Sequence, residues 1–119
     1  MPDELESNAA LALSFLEAVY SEFAPSLNSL YRSPDVNDAV GGSSTSYHLR
    51  ALAPDTQPTK GTREDMARAL LSSDKADLID QIIIYYDGRS HMHVGIEPTG
   101  GRRQVLQYTS ENGLQNLIL

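Results

Sequence analysis

Three histidines are available in this chain, and their placement decides what chemistry it can attempt. His48 stands in Ser46-Tyr47-His48-Leu49-Arg50-Ala51-Leu52-Ala53-Pro54-Asp55, seven residues ahead of an aspartate, and the other two stand together in His91-Met92-His93-Val94-Gly95. Imidazole and carboxylate are ordinary zinc ligands. Two histidines and one carboxylate leave one tetrahedral position open, which is the pattern of a catalytic rather than a structural site. The first expectation is that His48, Asp55 and His93 bind one Zn2+ ion. A histidine and an aspartate at this spacing also occur in proteins with no metal, so spacing alone leaves that second reading open.

Such a site dictates its supports. Seven extended residues span about 23 Å, whereas ligand atoms about 2 Å from one zinc lie within roughly 4 Å of each other. The chain must bend between His48 and Asp55. The expected solution is a loop carrying His48, a turn near Ala51 and a short strand from Leu52 to Asp55. Further on, Gln81 to Tyr86 is a β-rich run, Asp87-Gly88 is a hairpin signal, and Ser90 to Glu97 is the returning strand. Alternation on that strand puts His91, His93 and Gly95 on one face and Met92, Val94 and Ile96 on the other. The apolar face is expected to pack on the core and the histidine face to look into a cleft. Thr99-Gly100-Gly101 makes a second turn, and Arg103 to Tyr108 a third antiparallel strand.

The remaining elements read as scaffold. Residues 8 to 23 form a helix, with Ala9, Ala12, Leu13, Leu16, Val19, Tyr20 and Phe23 at helical spacing, a cap at Ser7 or Asn8 and a stop at Pro25. Ser26 to Tyr31 is a short strand candidate. Ser33-Pro34-Asp35 opens a helix of one or two turns that the paired glycines Gly41-Gly42 close. After Asp55, residues 56–61 read as a loop. Thr62 opens another helix, with Asp65 in a capping-box position and Met66, Leu70 and Leu71 on its buried side. Ser72-Ser73-Asp74 breaks that helix, Lys75 to Asp80 adds a helical turn, and the apolar tail from Leu114 to Leu119 docks. The fold class is α+β: N-terminal helices packed on a small antiparallel sheet with a zinc cleft.

Composition narrows the function. The chain has 119 residues, so a single domain, 1–119, is expected, and it is long enough for an ordinary core. There is no cysteine, which excludes disulfides and thiolate metal sites. A net charge of -7 argues against a nucleic-acid partner. The longest apolar run is Ile82-Ile83-Ile84-Tyr85-Tyr86, too short to span a membrane. Met1-Pro2-Asp3-Glu4 is acidic and lacks the charge pattern of a signal peptide, so a protein working outside a cell would reach that place by another route.

Ser46-x-His48-x-x-Ala51-x-Ala53-x-Asp55 resembles the S-x-H-x-x-G-x-A-x-D pattern of zinc D-alanyl-D-alanine peptidases at every position but one. That superfamily includes murein endopeptidases, phage endolysins and the hedgehog signalling domain. Upstream, Tyr31-Arg32-Ser33-Pro34-x-Val36-Asn37-x-x-Val40-Gly41-Gly42 is similar to its lead-in, S-G-Y-R-S-x-x-V-N-x-x-V-G-G, and His91-x-His93-Val94 resembles its H-x-H metal strand. The likeness runs from about Ser29 to Arg103.

The resemblance implies zinc on His48, Asp55 and His93, and substrate contacts from Arg32 and Ser46. It implies a peptidase acting on peptidoglycan stem peptides near D-alanine, and the small size suits a phage lysis enzyme or one associated with a virion and its other proteins. His91 is either a general base or oxyanion stabiliser beside the attacking water, or a surface histidine of the hairpin. Asp87 and Glu97 are weaker candidates for the base and fit equally as turn and surface residues. The guanidinium fork of Arg32 suits a carboxylate or oxyanion but also fits a solvated arginine, and Ser46 fits a loop serine bonding its own backbone. Two family glycines are replaced, by Leu30 and Ala51. Their replacement keeps open a second reading, a non-catalytic structural virion protein that retains the fold.

Overall fold

The isoleucines Ile82, Ile83 and Ile84 occupy the middle of a six-stranded sheet in the computed structural model, which describes residues 3–29 and 52–119. The strands are β1 (Ser26–Ser29), β2 (Asp55–Gln57), β3 (Ile79–Tyr85), β4 (Met92–Ile96), β5 (Gln104–Thr109) and β6 (Gly113–Asn116), in the spatial order β1-β2-β4-β3-β5-β6. Among the described residues the α-helices are α1 (Asp3–Ala18), α2 (Tyr20–Phe23) and α3 (Arg63–Leu71). The expected helix around Ser33–Gly42 lies outside the described residues, as do Leu30, Arg32, Ser46, His48 and Ala51.

β3 and β4 form the expected hairpin, with Ile84 opposite Met92 and Ile83 opposite His93. The sheet is mixed rather than wholly antiparallel, because β5 runs parallel to β3, with Ile83 beside Leu106. The cause is the link over residues 97–103. It carries the chain past the start of β3, so that β4 and β5 flank β3 as a split hairpin. Glu97 N–H donates to Leu78 O, Gly101 N–H to Asp77 O and Arg103 N–H to Ile79 O. Arg102 closes the link with its backbone N–H and guanidinium on the buried carboxylate of Asp80. Gly101 is required for space: a Cβ there would lie 2.1 Å from Ile79 O.

Residues 56–61 are not simply a loop. Asp55–Gln57 is a strand paired with both β1 and β4. Thr56 is fully buried and its hydroxyl donates to Ser26 O, so a polar residue is accommodated inside the sheet. The expected Leu52–Asp55 strand is therefore shifted along the chain. Leu52 and Pro54 still accept backbone hydrogen bonds from Ile96 and Val94.

One face of the sheet joins the helices. Met92, Val94, Ile96, Ile82 and Ile84 form a core with Ala12, Phe15, Leu16, Val19 and Phe23 from the N-terminal helices and Met66, Ala67 and Leu70 from α3. An irregularity between Ile79 and Gln81 lets Ile79 join this face too. The first helix starts at Asp3 rather than near residue 8, so Asn8 lies inside it and is buried. It breaks at Val19, whose N–H turns back to Leu16 O, and Tyr20 thereby leaves the expected stripe and stays 61% exposed. The stop comes at Ala24, left-handed at φ 40, just ahead of Pro25. Thr62 caps α3 as expected, its side chain accepting from Asp65 N–H. The helical turn after it is confined to Ala76–Leu78, and Ile79 and Asp80 already belong to β3. The tail adds β6 before Leu117 and Leu119 pack against the core, while Ile118 points outward.

Candidate metal centre

The opposite face of the sheet carries Asp55 and His93. Strand pairing aligns Asp55 on β2, His93 on β4, Ile83 on β3, Leu106 on β5 and Asn116 on β6 in one rung. His93, Ile83 and Leu106 are buried although none of them belongs to the helix-side core. Alternation accounts for this, since the apolar partners Met92 and Val94 must turn inward and leave His93 facing the other way.

His93 Nδ1 lies 3.3 Å from Asp55 Oδ1, with side chains only 10% and 19% exposed. That distance is long for a charge-assisted hydrogen bond, ordinarily about 2.7–2.9 Å. It matches two ligands of one tetrahedral metal, whose donor atoms about 2.1 Å from the ion stand about 3.4 Å apart. The pair is a hydrogen-bonded contact whose spacing also accommodates a shared zinc ion. Two of the three expected ligands are brought together. The third, His48, lies outside the described residues, and among the described residues no three metal-binding side chains converge.

His91 lies just ahead of β4, not within it. Its ring packs on Tyr85, centroids 5.2 Å apart, and its carbonyl accepts from Arg63 Nη1 at 3.1 Å. Tyr85 meets Tyr108 edge-on at 6.1 Å, and the Arg89 guanidinium lies 3.8 Å above the Tyr85 ring. Arg89 also holds Asp87 through contacts of 2.7 to 3.0 Å. Those hydrogen bonds keep the Asp87 carboxyl below the usual carboxylate range and raise the Arg89 guanidinium in turn. Burial, then the charge of Glu64, pushes the neighbouring Tyr86 phenol up.

Asp87 is thus an anchor of the hairpin loop. Glu97 sits at the far end of β4, accepting from the Thr99 hydroxyl at 3.1 Å. Neither lies on the Asp55–His93 rung. Arg32 and Ser46 lie outside the described residues. The residues that spacing did not single out are Arg63, Tyr85, Arg89 and Tyr108. The available signal was parity, since Tyr85 stands two residues beyond Ile83 on the same strand face. A cavity of about 260 Å³ between Ala18 and Ser73, Asp74 and Lys75 includes none of these groups.

No curated protein and no solved structure matches the chain. The family described as Peptidase M15 matches residues 3–95, a span that holds the motif around His48, the Asp55–His93 pair and His91. With that match over most of its length, and with two expected metal ligands in register on one sheet face, the chain belongs to the peptidase M15 family, the zinc D-alanyl-D-alanine peptidase superfamily.

Proposed function

We propose that this protein is a zinc-dependent peptidase that hydrolyses peptidoglycan stem or cross-link peptides near D-alanine. The observation that carries the reading is the Asp55–His93 pair, in register across β2 and β4 with donor atoms 3.3 Å apart, inside a peptidase M15 chain. His48, Asp55 and His93 would hold the zinc. The chemistry the ion supplies is polarisation of a carbonyl and acidification of a water toward a pKa of about 7.

The chain's own residues supply the rest. His93 and Asp55 are largely withdrawn from solvent, which strengthens electrostatic interactions at the site. His91 accepts or holds a proton beside the reacting carbonyl. Its ring, braced on Tyr85, is limited in the directions it can face. Arg32 binds the substrate carboxylate or its carbonyl oxygen, and Ser46 orients the peptide. The experiment is digestion of purified muropeptides by the zinc-loaded protein, read by mass spectrometry. New products cut beside D-alanine support the reading. Intact muropeptides across a broad panel would replace it with the structural-protein reading, to be tested next by restoring glycine at positions 30 and 51.

A further inference from the structure

The hairpin ladder includes His93 and stops one step short of His91. Ile84 opposite Met92 is the last β3–β4 partnership, and Tyr85 pairs with Tyr108 on its other side. Continuing the ladder would set Tyr85 against His91. Instead, Arg63 Nη1 lies 2.7 Å from Tyr85 O, 3.0 Å from Arg89 O and 3.1 Å from His91 O. One guanidinium nitrogen thus gathers three carbonyls from the strand end, the loop and the residue leading into β4. Arg63 is the first residue of α3, which Thr62 caps and Met66, Ala67 and Leu70 anchor in the core. Its guanidinium lies 5.4 Å from the Tyr86 ring. The donor that replaces the missing ladder is therefore tied to the core.

We infer that Arg63 is a positioning residue: it fixes the backbone at His91 and so sets where His91 stands beside His93 on the site face. The metal part of this inference rests on the reading of His93 as a zinc ligand. Outer partners that orient metal ligands typically cost about 10- to 100-fold in metal affinity when removed. An arginine that merely steadied the fold would instead lower stability and leave the local geometry of surviving folded molecules unchanged.

The test uses Arg63→Met, which keeps the apolar stem, and Arg63→Lys, which keeps a charge and several donors. Histidine ring signals are recorded by NMR on the metal-free proteins, and zinc affinity is measured by titration. In the parent protein the Tyr85 ring, 5.2 Å from His91, displaces the His91 ring-proton signals. In Arg63→Met those signals are expected to move to unstructured histidine positions while Leu106 and Leu114 methyl signals stay fixed. Zinc affinity is expected to fall by about 10- to 100-fold, with Arg63→Lys recovering most of both effects. Unmoved His91 signals in Arg63→Met, or an equal shift throughout the sheet, overturn the inference. If Arg63→Met does not fold, Arg63→Gln takes its place as the variant that loses the contacts, with Arg63→Lys again the recovering one. A parent protein that takes up no zinc overturns the metal reading, and the His91 signals then decide the role of Arg63 alone.

Discussion

Replacing Gly101 by alanine tests the crossover that makes the sheet mixed. The new Cβ would sit 2.1 Å from Ile79 O, 2.2 Å from Ile79 C and 2.5 Å from Asp80 N, all backbone atoms that cannot swing aside. The φ of Gly101 is not in the left-handed region, so the cost arises from space and not from conformation. Relief requires the link to lift off β3. That movement breaks Gly101 N–H to Asp77 O, Arg103 N–H to Ile79 O and Arg102 N–H to the Asp80 carboxylate. At about 1 kcal/mol net for each hydrogen bond, the loss is about 3 kcal/mol, and more if Asp80 is left buried without Arg102. For a domain of this size that corresponds to a fall of about 12 °C in Tm. Thermal unfolding followed by circular dichroism, with urea unfolding as a check, reads it directly. A Gly101→Ala protein within about 1 kcal/mol of the parent would refute the close approach, and with it the split-hairpin path.

Three further outcomes are expected. Thr62→Ala removes the cap of α3 and should cost about 1 kcal/mol in urea unfolding; an unchanged midpoint would deny the cap any role. The Asp87 carboxyl is held down by Arg89, so the unfolded chain takes the proton first as pH falls. Its stabilisation is complete above the ordinary carboxylate pKa of about 3.9 and is lost as pH drops through the lower folded value. The stability gap between parent and Asp87→Asn should accordingly be present at about pH 6 and shrink as pH falls below the ordinary carboxylate pKa of about 3.9, and a constant gap would contradict the sign. His91→Ala is expected to keep its zinc and lose about 10²- to 10⁴-fold in muropeptide turnover; unchanged turnover would remove His91 from the mechanism.

What could be read from the sequence was local. Asp87-Gly88 with flanking alternation was enough to place the β3–β4 hairpin, and Thr62 with Asp65 was enough to start α3. Parity on Met92 to Ile96 separated the core face from the histidine face, while the ligand residue types and the family resemblance are what put Asp55 and His93 on one site. Non-local pairing left no comparable mark. Nothing in Gln104 to Thr109 distinguishes a parallel neighbour of β3 from an antiparallel one, because the deciding feature is the close passage of Gly101 over Ile79. Thr56 and Gln57 have a loop-like composition, and only the buried bond from Thr56 to Ser26 O makes a strand there tolerable. The early start of α1 did leave a sign in Pro2-Asp3-Glu4, a proline and acids at a helix front. Arg63 was not legible at all, since its acceptors lie 22 to 28 residues away.

The proposed function rests on the contact between Asp55 and His93. Met92 and Val94 are held by the helix-side core, which turns His93 to the other face, and β2 brings Asp55 beside it. The most direct test of this arrangement is zinc stoichiometry, measured by elemental analysis on protein purified without chelator and then supplied with zinc. About one zinc per chain is expected in the parent protein, with His93→Ala, Asp55→Ala and His48→Ala each losing it while remaining folded. A fully folded parent that takes up no zinc, or a His93→Ala protein that retains the full complement, would contradict the account.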